Sequence, residues 1–389
     1  EFHEMMFGKK IINAFEEIKD IFYNKNLLNT GNIVRPYKSN DRSLMRYKSG
    51  YQANNINTHY DWSNWGQFSD AVEMCNNNGA CRKLDSGVMC PSYRVTKEEK
   101  DLVRGRANTL RLALSNQLPE GSFASKDMYE TMELCVSCKA CQRECPMSVD
   151  MAKMKSEFLS HYYKKFSMPI KDRVISDMPR LIWLLKIIAP TFNKVKNLPL
   201  ISTIVNKFGF ATERKMPEVQ SQDALKEIYD SQTVSENKVI LFADTFNINF
   251  ENKNLIYSIK VLNKFGYQAI IPSYGKDNLS RPLCCGRTYI SYGQLDKAAS
   301  ELNRFNDYIL ENNYYDLPVV GIEPSCLLTF NDEYLSLKNI NNREKIKNKF
   351  YLLEEFILDQ LKINRNIKIN DFNQNVLIHG HCHQKSQDR

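Results

Sequence analysis

Seven of the eleven cysteines in this 389-residue chain fall between positions 75 and 145. The densest run is Cys135-Val-Ser-Cys138-Lys-Ala-Cys141-Gln-Arg-Glu-Cys145-Pro146. Three thiols at two-residue gaps, then a fourth three residues on and followed by Pro, form the C-x2-C-x2-C-x3-C-P pattern that ligates iron–sulfur cubanes. The short gaps let one tight turn aim three sulfurs at three corners of a cluster. The fourth, past the turn, points elsewhere, and in two-cluster proteins it serves the other cluster. Four-Cys zinc is the alternative, although zinc sites more often use two separated C-x2-C pairs.

A weaker copy precedes it. Cys75-Asn-Asn-Asn78-Gly79-Ala-Cys81 is followed by Cys90-Pro91, with Asn78 where a further Cys would stand. By the pairing rule, Cys90, Cys135, Cys138 and Cys141 hold one 4Fe-4S cluster. Cys75, Cys81 and Cys145 then hold a second, with Asn78, water or nothing at its fourth iron. A three-thiolate site leaves open a three-iron cluster, a labile four-iron cluster or none. In the last case Cys75 and Cys81 are merely buried apolar residues. Lys139 and Arg143 raise the cluster potential if they lie close, whereas solvated side chains are the commoner outcome.

The remaining cysteines sit in Cys284-Cys285-Gly286-Arg287, Glu323-Pro-Ser-Cys326 and His379-Gly-His381-Cys382-His383. Each group falls where a strand ends or a helix begins, the place at which ligands gather in parallel α/β sheets. Cys284, Cys285, Cys326, Cys382, His381 and His383 are thus a candidate set for a cluster or zinc. Against it, neighbouring Cys284 and Cys285 do not both face one metal comfortably, so one of them is a core residue.

The elements that would carry these residues follow from periodicity. Residues 7–23 have helical spacing, and 26–34 read as a turn into an extended stretch. Residues 38–65 are polar and irregular. Thr96-Lys-Glu-Glu99 has the form of a capping box opening a helix through Arg111, and a helix from about Asp127 delivers Cys135. Residues 151–215 hold thirteen Lys/Arg against four Asp/Glu, a net +9 that accounts for the chain's +8. There Pro169, Pro179, Pro190 and Pro199 cut a Leu/Ile-rich sequence into short helices. Such basic and apolar faces suit peripheral contact with an anionic membrane. The competing expectation is a helical layer packed on the Cys-rich module with its charges solvated. Nucleic acid is not an expected partner, since no recognition motif accompanies the charge. Beyond a Ser/Gln-rich linker near 217–237, short apolar strands at 238–243, 267–271, 318–322 and 375–379 alternate with helices at about 252–265, 295–312 and 345–361. That alternation predicts a parallel, helix-covered sheet. The fold class is α+β multidomain, an all-α dicluster module followed by an α/β cysteine-rich domain.

With these residues in place, the chain resembles the C-terminal half of FAD- and iron–sulfur-containing D-2-hydroxyacid dehydrogenases of the D-lactate and D-2-hydroxyglutarate type. The resemblance runs through Cys75–Arg82, Met89–Tyr93, Arg104–Asn108, Leu134–Pro146, Val149–Ala152, Arg281–Arg287, Glu323–Cys326 and His379–Lys385. It implies residues 1–37 as the tail of an FAD-linked oxidase domain and 38–150 as a helical 4Fe-4S ferredoxin-like domain. Residues 151–237 become a basic helical linker and 238–389 a truncated CCG-type cysteine-rich domain. It implies an upstream domain holding FAD and the substrate-side metal residues, with electrons passing from flavin to cluster to a quinone or a carrier protein. A detached iron–sulfur subunit, like those of glycolate oxidase or glycerol-3-phosphate dehydrogenase, is the alternative. The cysteine-rich part is also similar to heterodisulfide reductase B. That family carries an early Cys where this chain has Ala243-Asp244-Thr245-Phe246, and a second Cys-Cys-Gly that this chain lacks. The chain opens on Glu1 without Met and is expected to be a piece of a longer protein. Reduced, turn-clustered thiols and no signal peptide lead to an expected cytoplasmic location, peripheral on the inner membrane face, in a homo-oligomer.

Overall fold

A computed structural model describes all residues except 1, 23–28, 39, 42, 44–46, 48–49, 86, 197, 212, 214, 221–226, 228–229, 232, 273–281, 348, 364–372 and 388–389. The chain divides into two compact units, residues 1–53 and 54–389.

In the first unit, α1 (His3–Phe7) and α2 (Lys9–Phe22) are separated by Gly8 at φ +78°. The helical periodicity predicted for 7–23 is present, yet neither helix contains a buried residue. Residues 29–35 bend rather than extend, with Asn29, Gly31, Ile33 and Arg35 all at positive φ. The Arg35 guanidinium folds this segment back by pairing with Asp20 on α2. Residues 26–28 of the expected turn lie outside the described residues.

In the second unit the Cys-rich helices come first: α3 (Phe68–Glu73), α4 (Pro91–Thr96), α5 (Val103–Leu114), α6 (Lys126–Glu133), α7 (Ala140–Glu144) and α8 (Met151–Lys165). The expected capping box at Thr96 does not form. Thr96 instead ends α4, its hydroxyl accepting from the Glu98 N–H, and Glu99 is engaged by Arg104 at 2.5 Å. The helix proper begins at Val103. Four short helices follow, α9 (Ile170–Ser176), α10 (Met178–Leu185), α11 (Ala189–Val195) and α12 (Pro199–Lys207). Pro169, Pro179, Pro190 and Pro199 stand at their N-caps or in their first turns, where a missing N–H costs nothing.

The sheet has four parallel strands in the order β2-β1-β3-β4, namely β1 (Asn237–Phe242), β2 (Tyr267–Ile270), β3 (Val319–Gly321) and β4 (Phe350–Leu352). Val239 to Phe242 are buried, as a strand covered on both faces requires. Two expectations fail here. The helix expected from 345 begins at Leu353, because Phe350 is drawn into the core, stacked on Phe330 with centroids 4.5 Å apart, and extends β4 beside Val319. Residues 375–379 form no strand. With no sheet neighbour in register, Leu377 is 99% exposed. Helices and sheet share one core in which Phe68, Phe158 and Leu110 join Phe242, Phe305 and Phe330.

Candidate metal centre

The turn at 135–141 is prepared by α6. The Ser125 hydroxyl caps that helix by accepting from the Met128 N–H, and the Cys135 N–H closes its end on the Met132 carbonyl. Ser137 (φ 52°) and Lys139 (φ 63°) then adopt left-handed backbone, which non-glycine residues occupy only when their surroundings compel it. Cys90, also left-handed at φ 53°, is the N-cap of α4, with Pro91 at the first helical position. Cys90, Cys135, Cys138 and Cys141, the four thiols chosen by spacing, line a single cavity whose wall includes Arg106 and Met151.

Helix starts surround that cavity. The Val103 N–H of α5 donates to the Cys90 sulfur, the Ala140 N–H of α7 to Cys138 and the Met151 N–H of α8 to Cys141. Neither α5 nor α7 has a side-chain cap, so cysteine sulfurs accept the N–H groups that a Ser or Asp would otherwise satisfy. Those N-termini concentrate positive potential where a thiolate-ligated cluster would carry negative charge. In the bare protein, burial pushes the Cys90 thiol up to about 12, Cys138 up to about 11 and Cys141 well above its ordinary value. A metal bound by these thiols would displace their protons. Two cationic residues unmarked by the motif stand in the wall and beside it. Arg106 is buried, donating to the carbonyls of Asp101 and Thr131, and Lys155 donates to the carbonyl of Cys135 at 2.6 Å.

Cys75 and Cys81 are buried, and Cys145 is half-buried at the end of α7. Cys81 receives the Arg104 N–H, so the start of α5 serves one thiol from each predicted set. The Glu144 carboxylate accepts from the Val88 and Met89 N–H groups at 2.7 and 3.1 Å, fastening the loop before Cys90 to α7. Asn78 is exposed, and its side chain is spent within its own turn, on the Ala80 N–H and on Asn76.

Lys139 is fully buried, not solvated. Its ammonium lies 3.2 Å from Asp150, 2.5 Å from Asp332 and 3.0 Å from Glu333. Glu333 also accepts both guanidinium nitrogens of Arg287, at 2.8 and 2.7 Å. Burial alone would raise the Glu333 carboxyl, but Arg287 and Lys139 hold it well below the usual carboxylate range. Arg143 reaches the Lys385 carbonyl at 2.6 Å.

The later cysteines divide. Cys284, Cys285 and Cys326 are buried, their thiols hydrogen-bonded in series, and the Gly286 and Arg287 N–H groups donate to the first two sulfurs. Gly286 must be glycine: φ is +78°, and a Cβ would stand 3.1 Å from Ala298 Cα. Asp244 caps the helix Thr245–Phe250, and burial raises it to about 6. The short helix Cys382–Gln387 packs on α7 and also on the helix Pro324–Asn331 that carries Cys326. His383 is buried with Nε2 3.2 Å from the Ser137 carbonyl, inside the 135–141 turn, and exposed Cys382 neighbours Cys138. His381 is half-buried, its backbone N–H bonded to Gln384. Among the described residues no three or more His, Cys, Asp or Glu converge on a single ion.

Residues 71–149 match the family of 4Fe-4S dicluster domains. Over most of its length the chain is similar to D-2-hydroxyglutarate dehydrogenases. It is 25% identical over 386 residues to that of Pantoea ananatis, covering 86% of this chain and 36% of the relative. For Escherichia coli the identity is 22% over 381 residues, with 86% and 36% covered. For Pseudomonas putida it is 23% over 394 residues, with 90% and 38% covered. The chain thus spans little more than a third of the length of these relatives. No solved structure matches it at a significant level.

Proposed function

We propose that this chain, which carries a 4Fe-4S dicluster domain and is homologous to D-2-hydroxyglutarate dehydrogenases, is the electron-transfer portion of a flavin-dependent D-2-hydroxyacid dehydrogenase. The observation that carries the reading is the single cavity lined by Cys90, Cys135, Cys138 and Cys141 and ringed by helix N-termini. The donor set fits the group, with four thiols, backbone N–H groups aimed at the sulfurs and two cationic side chains in or beside the wall. A cubane held there supplies one-electron storage. The protein's part is to exclude water by burial, to fix the thiolates on left-handed turns and to offset negative charge with the starts of α5, α7 and α8.

In this reading FAD is bound by an upstream domain, the substrate is a D-2-hydroxyacid such as D-2-hydroxyglutarate or D-lactate, and the acceptor is a quinone or a carrier protein. Cys75, Cys81 and Cys145 hold the second cluster. Of the later cysteines, Cys284, Cys285 and Cys326 lie next to one another and are the set that could serve a cluster, though not a single ion. Cys382, His381 and His383 belong to the surroundings of the first cluster. Iron and acid-labile sulfide analysis with low-temperature EPR on anaerobically prepared protein tests the proposal. Iron and sulfide in near-equal amounts are expected, and Cys138→Ala loses the first cluster's share of the iron and of the brown absorbance. Zinc without sulfide, or the parent's full iron and colour retained in the variant, overturns it.

A further inference from the structure

The layer α9–α12 has two apolar faces and only one of them is covered. Met178, Ile182, Leu185, Ala189 and Phe192 pack inward with Val219 and Phe250. Leu181, Leu184 and Ile188, at i, i+3 and i+7 on the same run, point outward at 39, 63 and 53% exposure. The flanking helices add Ile170 and Val174 on α9, and Leu198, Leu200 (72%) and Phe208 at the two ends of α12. The start of α9 and the end of α12 meet, since a Cβ on Gly209 would stand 3.8 Å from Lys171 Cδ.

The charge on this layer has one sign. Residues 170–208 contain seven Lys/Arg and two Asp. Asp172 is buried, and Asp177 is held by Lys297 at 2.9 Å. Lys186 and Lys196 turn inward to the carbonyls of Ile248 and Pro217. Lys171, Arg173, Arg180, Lys194 and Lys207 remain toward the surface, with no exposed acid among them.

We propose that α9–α12 lie on an anionic lipid bilayer, with Leu181, Leu184, Ile188 and Leu200 at the headgroup–acyl boundary and the cations among the lipid phosphates. Short helices that are apolar on the outer face and ringed by Lys/Arg have the composition of interfacial segments. No helix among the described residues is long and apolar enough to cross the membrane, so contact is confined to one leaflet. A second copy is a poorer occupant, because a two-fold contact sets each cationic patch against itself. This assignment does not depend on the electron-transfer reading, and iron content does not enter its test.

The full chain is floated with vesicles of phosphatidylglycerol and phosphatidylcholine, and with phosphatidylcholine alone, at low and high salt. It is expected to float with the anionic vesicles at low salt, to be released by high salt and to ignore the neutral ones. Leu184→Gln with Leu200→Gln, and separately Lys171→Glu with Lys194→Glu and Lys207→Glu, each weaken binding at least about tenfold. All five side chains are at the surface, so circular dichroism stays unchanged. Absence of flotation, equal flotation on neutral vesicles, or a concentration-dependent dimer dissolved by the leucine variant overturns the proposal.

Discussion

Cys138 and Lys139 are adjacent and meet opposite demands. The thiol must be available to metal, and the ammonium must be neutralised within the protein. Lys139 does not contact solvent, and three carboxylates converge on it from two parts of the second unit, Asp150 at the start of α8 and Asp332 and Glu333 beyond the sheet strand β3. Removing one partner from such a group leaves uncompensated buried charge, which costs about 3–5 kcal/mol. Lys139→Met is therefore expected to lower urea-unfolding stability by that order, and Lys139→Met with Asp332→Asn to recover part of the loss. Equal stability of Lys139→Met and the parent would remove the network from the account of what joins the Cys turn to the sheet. This was not readable from the sequence. A Lys between two cysteines of such a motif is ordinarily solvated, and two of its three partners, Asp332 and Glu333, lie nearly two hundred positions away. That Cys135, Cys138 and Cys141 share one cavity was readable, because their spacing is itself the geometry of the turn. His383 was expected beside Cys382 as part of a shared metal set because the two adjoin in sequence, and the helix they share brings His383 to the Ser137 carbonyl and Cys382 to Cys138.

At the scale of elements, periodicity located the helices and most of the strands, and errors cluster at their starts. The Thr96–Glu99 pattern satisfied every local rule for an N-terminus, yet α5 begins at Val103, where its first N–H groups face the sulfurs of Cys81 and Cys90. Nothing in a helix-capping pattern anticipates a cap supplied by a distant thiol. β4 escaped for its length, three residues whose extended state is fixed by Val319 and Phe330. The turn at Gly286 was legible, and it carries a prediction. Gly286→Ala forces a left-handed alanine at about 1–2 kcal/mol and adds contact with the Ala298 backbone. The expected outcome is a lowered thermal midpoint together with faster alkylation of Cys284 and Cys285, whose sulfurs lose the Gly286 and Arg287 N–H groups. Thiol titration at unchanged rate would indicate that the turn tolerates a side chain.

Across the second unit, residues far apart in sequence are joined by ionisable contacts, and one of them gives stability a pH dependence. Glu157 on α8 is fully buried and accepts from the backbone N–H groups of His59 and Tyr60 and from the His59 ring at 3.1 Å. Asp296 lies 3.5 Å from the other ring nitrogen. The hydrogen bond to Glu157 raises His59 above its ordinary value, burial opposing it. A group whose folded pKa is raised contributes stability that is complete below the unfolded value near 6.5 and is lost as pH climbs through the folded value. His161, on the same helix, is lowered by burial and acts in the opposite sense, costing stability as pH falls through its unfolded value. The two are separated by comparing the parent with His59→Gln, which keeps a donor toward Glu157 but no charge. The difference in unfolding free energy between them is expected to be largest near pH 6 and to shrink steadily as pH rises past the folded His59 value. The curve for His59→Gln still carries the acid-side loss due to His161 and to the other buried imidazoles, His381 and His383. Parallel stability curves for parent and variant across that range would mean that Glu157 holds residues 59 and 60 through their backbone alone, and that the ring carries no charge in the folded protein.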